Sequence, residues 1–414
     1  TWDSASKTCT LSGDLTEGIT IGSSYITLDG NGHSITGNNS SDEDWDNTHE
    51  SFGLLSQTKT NIIIKNLQIS NFYHGIYLTN VINSQIKDNV VSNNFSTQIR
   101  LDNSNDNTIS NNDIPCSNGH LGITTQFGDG NNILGNTITD CRDKGISGIR
   151  EKNFNVSSNL VDMQSSGSFQ PMGIDVDNTG TYNPHITSLI ENVVKNSHYG
   201  IRHQGEGSTI KNNIISNNSV IGLAAGWGGD NLIEGNEISN NEKGLEITSG
   251  YSNSVYQNNF ISNNVDGSGV LRDTGGNYWE NYSLNCLDNN NDNFCDDPHP
   301  FSSILDIQDR VWTVQDGWKT TINTPSNSTV NAVDSSGLSH NYSVSATHDG
   351  TSMSVSCDHV SGSTFPIGVT DVLCTANNGI HSTFSVTVNP PLPIISSTSP
   401  PTESNTTVEG NNLD

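Results

Sequence analysis

Positive charge is scarce in this chain: 16 Lys and Arg stand against 44 Asp and Glu, for a formal net charge of -28. Such a surface repels phosphate backbones and anionic headgroups, which excludes nucleic acid or an anionic membrane as the main partner and favours a surface that collects cations. Hydrophobic residues make up only 31% of the sequence and aromatic ones 7%, less than a broad globular core uses. No apolar run is long enough to span a bilayer as a helix, and Thr1 opens no signal peptide, so a processed, mature form is expected. Catalytic sentences are missing as well, with no Gly-x-Ser-x-Gly, no phosphate loop and no His-Glu-x-x-His. Only three Met and scattered His leave no soft-metal ligand set.

What the chain has in abundance is Asn, Gly, Ser and β-branched residues arranged in a repeat. Gly200, Gly222 and Gly244 open successive copies of one pattern, with a period of 22 residues. Each copy holds short apolar alternations cut by Asn, Gly and Ser, hence two or three very short strands joined by tight turns. One copy cannot bury its own apolar face, whereas stacked copies can, and this is the logic of a parallel β-solenoid. The apolar residue that opens each coil runs Leu54, Ile76, Ile99, Ile123, Ile146, Ile174, Ile201, Leu223, Leu245 and Val270. Two longer intervals place extra loops at 164–171 and 179–184. A further acidic insertion at 40–47 breaks the early register. Asn66, Asn89, Asn112, Asn136, Asn159, Asn192, Asn213, Asn236 and Asn259 recur at one corner, where asparagine tolerates a left-handed turn and can bond to the asparagine of the next coil.

On this repeat, residues 18–285 resemble the right-handed parallel β-helix proteins of the carbohydrate-binding and sugar-hydrolysis type. The end of the helix, Gly276-Asn277-Tyr278-Trp279-Glu280-Asn281-Tyr282 followed by 288–298, resembles the NosD-like periplasmic copper-protein maturation group. The resemblance implies a fold more than an activity, because such helices serve lyases, epimerases, hydrolases, adhesins and binding proteins alike. Residues 320–389 carry alternating strands and Ser361-Gly362-Ser363-Thr364-Phe365-Pro366-Ile367-Gly368 between two cysteines. This segment resembles a hyalin-repeat domain, which implies an immunoglobulin-like sandwich associated with extracellular adhesion. The expected fold is therefore all-β, a right-handed parallel β-helix of about 10–11 coils plus a C-terminal immunoglobulin-like β-sandwich. Its segments are a cap at 1–17, the helix at 18–285, a loop and connector at 286–319, the sandwich at 320–389, and a Pro/Ser/Thr-rich linker or tail at 390–414.

Seven cysteines fall as Cys116 with Cys141, Cys286 with Cys295, and Cys357 with Cys374, leaving Cys9 over. This usage predicts disulfides and an oxidising compartment, extracellular or at the cell surface. Glycosylation acceptor sequences start at Asn38, Asn39, Asn94, Asn155, Asn217, Asn281, Asn327, Asn341 and Asn405. In the stretch 288–297, Asp288, Asn290, Asp292 and Asp296 offer side-chain oxygens and Phe294 a carbonyl, at the spacing a structural calcium ion needs. The competing reading is a solvated acidic loop.

Taking each opening apolar residue as inward, positions one and three further on point outward. That rule puts Arg100, Asp102, Asp175, Asp177 and Arg202 on one ladder, and a one-residue bulge adds Arg150. His198 lies at a corner beside it. This ladder reads either as a groove for an acidic polysaccharide, with arginines on its carboxylates and an Asp or His198 as base, or as a salt-bridged sheet face. His203 falls inward, as a satisfied core histidine. Trp45, Trp227 and Tyr251 are the aromatics placed to stack on sugars.

Two functional readings follow. The first is a secreted or cell-surface structural and adhesive β-helix, calcium-stiffened, associating with other copies of itself through tail residues such as Ile394, Ile395, Val408 and Leu413. The second is a polysaccharide lyase or epimerase, or a passive carbohydrate-binding protein, acting on acidic glycans.

Overall fold

The computed structural model describes residues 1–38, 51–117, 119–164, 170–179, 185–226, 228–248, 253–269, 276–280, 287, 289, 295–296, 299–300, 308–309, 320–334, 336–348, 351–376 and 381–391. The chain divides into two compact units, Thr1–Lys319 and Thr320–Asp414. No helix among the described residues is long and apolar enough to cross a membrane.

The first unit is a parallel β-solenoid. Each coil contributes one strand to each of three sheets, of 12, 11 and 11 strands. Two sheets are built from three- and four-residue strands such as Thr108–Ser110 and Asp113–Pro115; the third is built from six-residue strands such as Thr97–Asp102. The central residue of each short strand points inward and repeats in register: Leu28, Ile64, Ile86, Ile109, Ile133, Val156, Leu189, Ile210, Ile233 and Val255 form one column. These side chains are buried, and each contributes roughly 1.5–3 kcal/mol on leaving water. The long strands add the column from Leu54 to Leu245 as the period predicts. At the last coil the inward position is Gly267, paired with Leu245, and not Val270, which lies outside the described residues.

The corner between the two short strands carries an amide ladder. In it Asn89, Asn112, Asn136, Asn159, Asn192, Asn213, Asn236, Asn258 and Asn277 follow one another. The Oδ1 of each accepts from the backbone N–H and the Nδ2 of the preceding asparagine at 2.9–3.1 Å. Asn66 and Asn259 do not belong to it. Leu67 occupies the ladder position in its coil and donates its N–H to Asn89, and the partner of Asn236 is Asn258. The left-handed residue is the one just before each ladder asparagine, for example Asp88, Asn111, Gly135, Ser158 and Asn212. Turn and ladder are thus separate tasks carried by adjacent residues. At the corner leading into the long strands, the Cys116–Cys141 disulfide links two neighbouring coils.

Both ends of the stack are closed by irregular pieces. At the start, Trp2–Asp3 folds back antiparallel on Thr8–Thr10, a two-residue edge that discourages further pairing. At the end, Tyr278–Trp279 pairs with Asn259–Ile261, and the buried Trp279 ring stacks on Phe260 at 3.9 Å between centroids.

The second unit holds sheets of three, four and two strands around Phe365, Val372, Phe384, Val386 and Val388. Its disulfide, Cys357–Cys374, joins directly opposed residues within the four-stranded sheet, in contrast to the bond between sheets of antibody domains.

Replacing Asn136 with Ala strands the Asn112 amide and removes a bond from Nδ2 to the Ile109 carbonyl. The expected cost is about 1–3 kcal/mol in chemical denaturation. Gly200→Ala, whose new methyl meets the Gly222 carbonyl oxygen at 2.5 Å, is expected to cost a similar amount, about 1–3 kcal/mol.

Candidate functional site

The exposed side of the long-strand sheet gathers most of the polar candidates. In register, one row reads Leu55, Tyr77, Arg100, Thr124, Ser147, Asp175, Arg202, Ala224, Glu246 and Ser268. A second row, two residues on, includes Thr79, Asp102, Gln126, Ile149, Asp177 and Gln204. Strict alternation implies no more than these two rows, yet the first residue of several strands is exposed in part as well. The reason lies in the glycines at the second position, Gly53, Gly75, Gly122, Gly145, Gly173, Gly200 and Gly222. A Cβ there would sit 2.4–2.9 Å from the next coil's carbonyl oxygen, and the strand bends at this point, resetting its alternation. Phe52, Lys144, Tyr199 and Lys243 thereby join the face, with His74 covered beside Phe52.

Two ion-pair clusters form on it. In the first, Arg100 Nε donates to both Asp102 oxygens at 3.0 and 3.1 Å, and the Tyr77 hydroxyl donates to Asp102 Oδ2 at 2.7 Å. The Arg100 guanidinium also lies 5.4 Å from the Tyr77 ring centre. In the second, Asp175 is fully covered. It accepts from Arg202 Nε and Nη2 at 2.6 and 3.0 Å and pairs with Lys144 Nζ at 2.6 Å. The hydrogen bonds from Arg202 to Asp175 hold the guanidinium even more firmly protonated than usual. Burial opposes ionisation of Asp177, but the hydroxyl and amide of Thr179 outweigh it and hold the carboxyl below its usual range. Asp102 and Asp175, expected to be open on the ladder, are instead covered. The cations over them keep side-chain exposures of 29% for Arg100, 27% for Lys144 and 28% for Arg202, so these two clusters present their positive members, with the ionised, half-buried Asp177 beside them.

Arg150 does not join this ladder. The strand Lys144–Ile149 pairs with Met172–Asp177 without a bulge, and Arg150 follows it in a left-handed turn beside the Phe127 ring. His198 sits at the corner with Nδ1 3.2 Å from the Ser219 hydroxyl, and burial lowers its pKa. His203 points into the core as expected but is not satisfied there: neither ring nitrogen has a hydrogen-bond partner, and burial pushes its pKa down to about 4. His74 is likewise held neutral, at about 3, by burial and by the Arg100 charge.

Sequence reasoning missed one pair altogether. His120 Nδ1 lies 2.8 Å from Asp143 Oδ2, on adjacent coils just before the strands Leu121–Gln126 and Lys144–Ile149. The 23-residue spacing between them equals the local period, which was the available signal.

The remaining candidates divide by position. Trp45, Trp227, Tyr251, the metal candidates Asp288, Asn290, Asp292 and Phe294, Cys286, and the acceptors Asn39, Asn281 and Asn405 lie outside the described residues. Cys295 is disulfide-bonded and Cys9 is free. Asp296 accepts from the Asn289 backbone and side chain. Among the described residues no group of three or more His, Cys, Asp or Glu is arranged to hold a metal ion. Asn94 is buried with its amide bonded to Gln98, which closes it as a glycan acceptor in the folded chain, whereas Asn38, Asn217, Asn327 and Asn341 are exposed and Asn155 is half-buried.

A family model described as periplasmic copper-binding protein (NosD) matches residues 12–171, and one described as right handed beta helix region matches residues 168–296. The described residues do not fit a copper site, as no such ligand group is present among them. No curated protein matches the chain. Among solved structures the chain is similar to a periplasmic alginate epimerase at 14% identity and a TM-score of 0.40, covering 53% of this chain and 58% of that one. It is similar to a DFA-IIIase from Arthrobacter chlorophenolicus A6 without its lid at 14% identity and 0.45, covering 63% and 80%. A third likeness is to the Dettilon tailspike protein, at 13% and 0.49, covering 87% and 65%. These likenesses are of fold.

Two substitutions test the electrostatics. Arg202→Ala leaves the covered Asp175 with Lys144 alone and is expected to cost about 3 kcal/mol of stability. Glu151 is fully covered, accepting from the Gly128 amide and Asn131 Nδ2, and burial raises its pKa to about 7. Because the folded pKa lies above the unfolded one, stability falls as pH rises from about 4.5 to 7 and levels off above, by up to roughly 3 kcal/mol. Glu151→Gln is expected to remove that slope in urea titrations at pH 5 and 8.

Proposed function

We propose that this right-handed β-helix protein binds an acidic polysaccharide lengthwise along its long-strand face. The observation that carries the reading is the in-register row Arg100, Thr124, Ser147, Asp175, Arg202, with Lys144 beside it. In a chain of net charge -28, three of the 16 basic residues converge on one strip of four to five coils. Neighbouring coils are spaced by about 4.8 Å, so the strip runs for roughly 20 Å and meets several sugar units at once. The guanidinium planes are oriented by Asp102 and Asp175, and an oriented planar cation recognises a carboxylate better than a loose one does.

The disulfides and the periplasmic family match support export of the chain. The calcium loop and the self-associating tail draw mainly on residues outside those described, whereas the glycan reading draws on described residues of the long-strand face.

Titration calorimetry against alginate and polygalacturonate, with a neutral glucan as control, tests the reading. Binding of a uronate polymer that weakens with salt is expected. Arg100→Ala should weaken it tenfold or more, and Lys87→Ala, on the strand Gln85–Lys87 of another sheet, should leave it unchanged. Equal binding of the neutral polymer, or none of any, refutes it.

A further inference from the structure

We propose that His120 and Asp143 form a proton-transfer pair that makes the long-strand face a β-eliminating enzyme site; this rests on the acidic-glycan reading above. A side chain that removes a carbon-bound proton near neutral pH needs a neutral imidazole with one nitrogen free and the other held, so that the charge it gains has a fixed counterpart. Three histidines of the described solenoid residues are near enough to this face to compete. His74 is buried and its Nδ1 has no partner. His198 leans on a neutral hydroxyl. His120 alone of the three has a carboxylate on Nδ1, at 2.8 Å, and both side chains remain accessible, at 36% and 48%.

The placement of the pair is fixed by backbone as well as side chain. The amides of Asp143 and Lys144 both donate to the His120 carbonyl, at 2.9 and 3.3 Å, and the Phe95 ring lies 5.7 Å from the imidazole on the preceding coil. On the same two coils, four residues further along each strand, stand Thr124 and Ser147. Both are covered, with their hydroxyl oxygens out of a ligand's reach, so they form the floor beneath the cations. Four residues of strand span about 13 Å. Lys144, one residue after Asp143, lies within that span with Nζ on Asp175.

The chemistry then runs on these groups. Lys144, shared between Asp175 and the substrate, receives the carboxylate of a uronate unit. His120 Nε2 takes the proton from the carbon bearing the carboxylate, and the C–H electron pair moves into the carboxylate as an enolate facing Lys144. Asp143 holds the imidazolium. The pair of electrons returns to form a carbon–carbon double bond as the glycosidic C–O bond at the β carbon breaks, and the imidazolium returns the proton to the departing oxygen. One polymer becomes an unsaturated uronate end and a new hydroxyl end, with no other reactant. All these groups approach the sugar from one side, as an elimination in which one base serves as acid requires. Inversion at the carbon would need a donor on the opposite side of the ring.

The test follows ultraviolet absorbance of unsaturated uronate with alginate or polygalacturonate, whichever binds, on the full chain. Wild type is expected to turn over. His120→Ala and His120→Gln should lose about 10²–10⁴-fold in kcat with binding by calorimetry retained. Asp143→Asn should lower kcat with KM unchanged, and Asp143→Glu should restore part of it; a residue with only a structural role would not show that split. His33→Ala, at a second His–Asp pair on another part of the helix, should behave as wild type. Unchanged melting of His120→Gln separates chemistry from folding. Binding without any unsaturated product, or full turnover in both His120 variants, overturns the pair and leaves the glycan reading standing. No binding to any uronate polymer removes both.

Discussion

Everything in the first unit depends on one constraint: each coil must present to the next a surface that repeats at about 4.8 Å, the spacing of paired strands. Backbone bonds supply most of that match, but corners have no ladder of their own, and their polar groups would be left unsatisfied inside the stack. The asparagine column solves this by letting a side-chain amide behave as a strand: the Asn136 oxygen accepts from Asn112 in the coil before, and its nitrogen donates to the Ile109 carbonyl of that coil and to the Asn159 oxygen of the next. It also explains why so few apolar residues suffice. The core is one side chain wide at each position, so a hydrophobic content of 31% fills it.

The same constraint shapes the functional face. Glycine recurs at the second position of the long strands, Gln98 excepted, because a Cβ there would sit 2.4–2.9 Å from the next coil's carbonyl oxygen. The bend it allows brings a third row of side chains outward. Without that row, Lys144 would not reach Asp175, and the face would carry arginines alone. The aromatic residues there are stacked between coils, Phe52 over Tyr77 at 21° between planes. Their faces are consequently spent on each other and their edges point outward, which makes them supports for the ion pairs in preference to platforms for sugar.

The solenoid was legible because its signal is redundant: ten coils repeat one inward position, and a local error such as Asn66 for Leu67 or Val270 for Gly267 does not disturb the rest. The ladder of Arg100, Asp102, Asp175, Asp177 and Arg202 was legible for the same reason. What failed was anything that breaks strict alternation. Arg150 needed a bulge that the chain does not make, and Lys144 sat on a parity that the glycine bend reverses. His203 was correctly turned inward, but whether its nitrogens find partners depends on neighbours from two other coils, which the period does not specify.

The sequence by itself determined the period, the inward columns and the charge row, because each depends only on spacing along a chain whose coils must stack in register. Only the tertiary structure decided which neighbours meet across coils: that Asp175 is shared by a lysine and an arginine, that Glu151 takes up the Asn131 amide, and that His120 finds Asp143. Those pairings turn on side-chain reach and on bends of a single residue, and a repeat averages such details away.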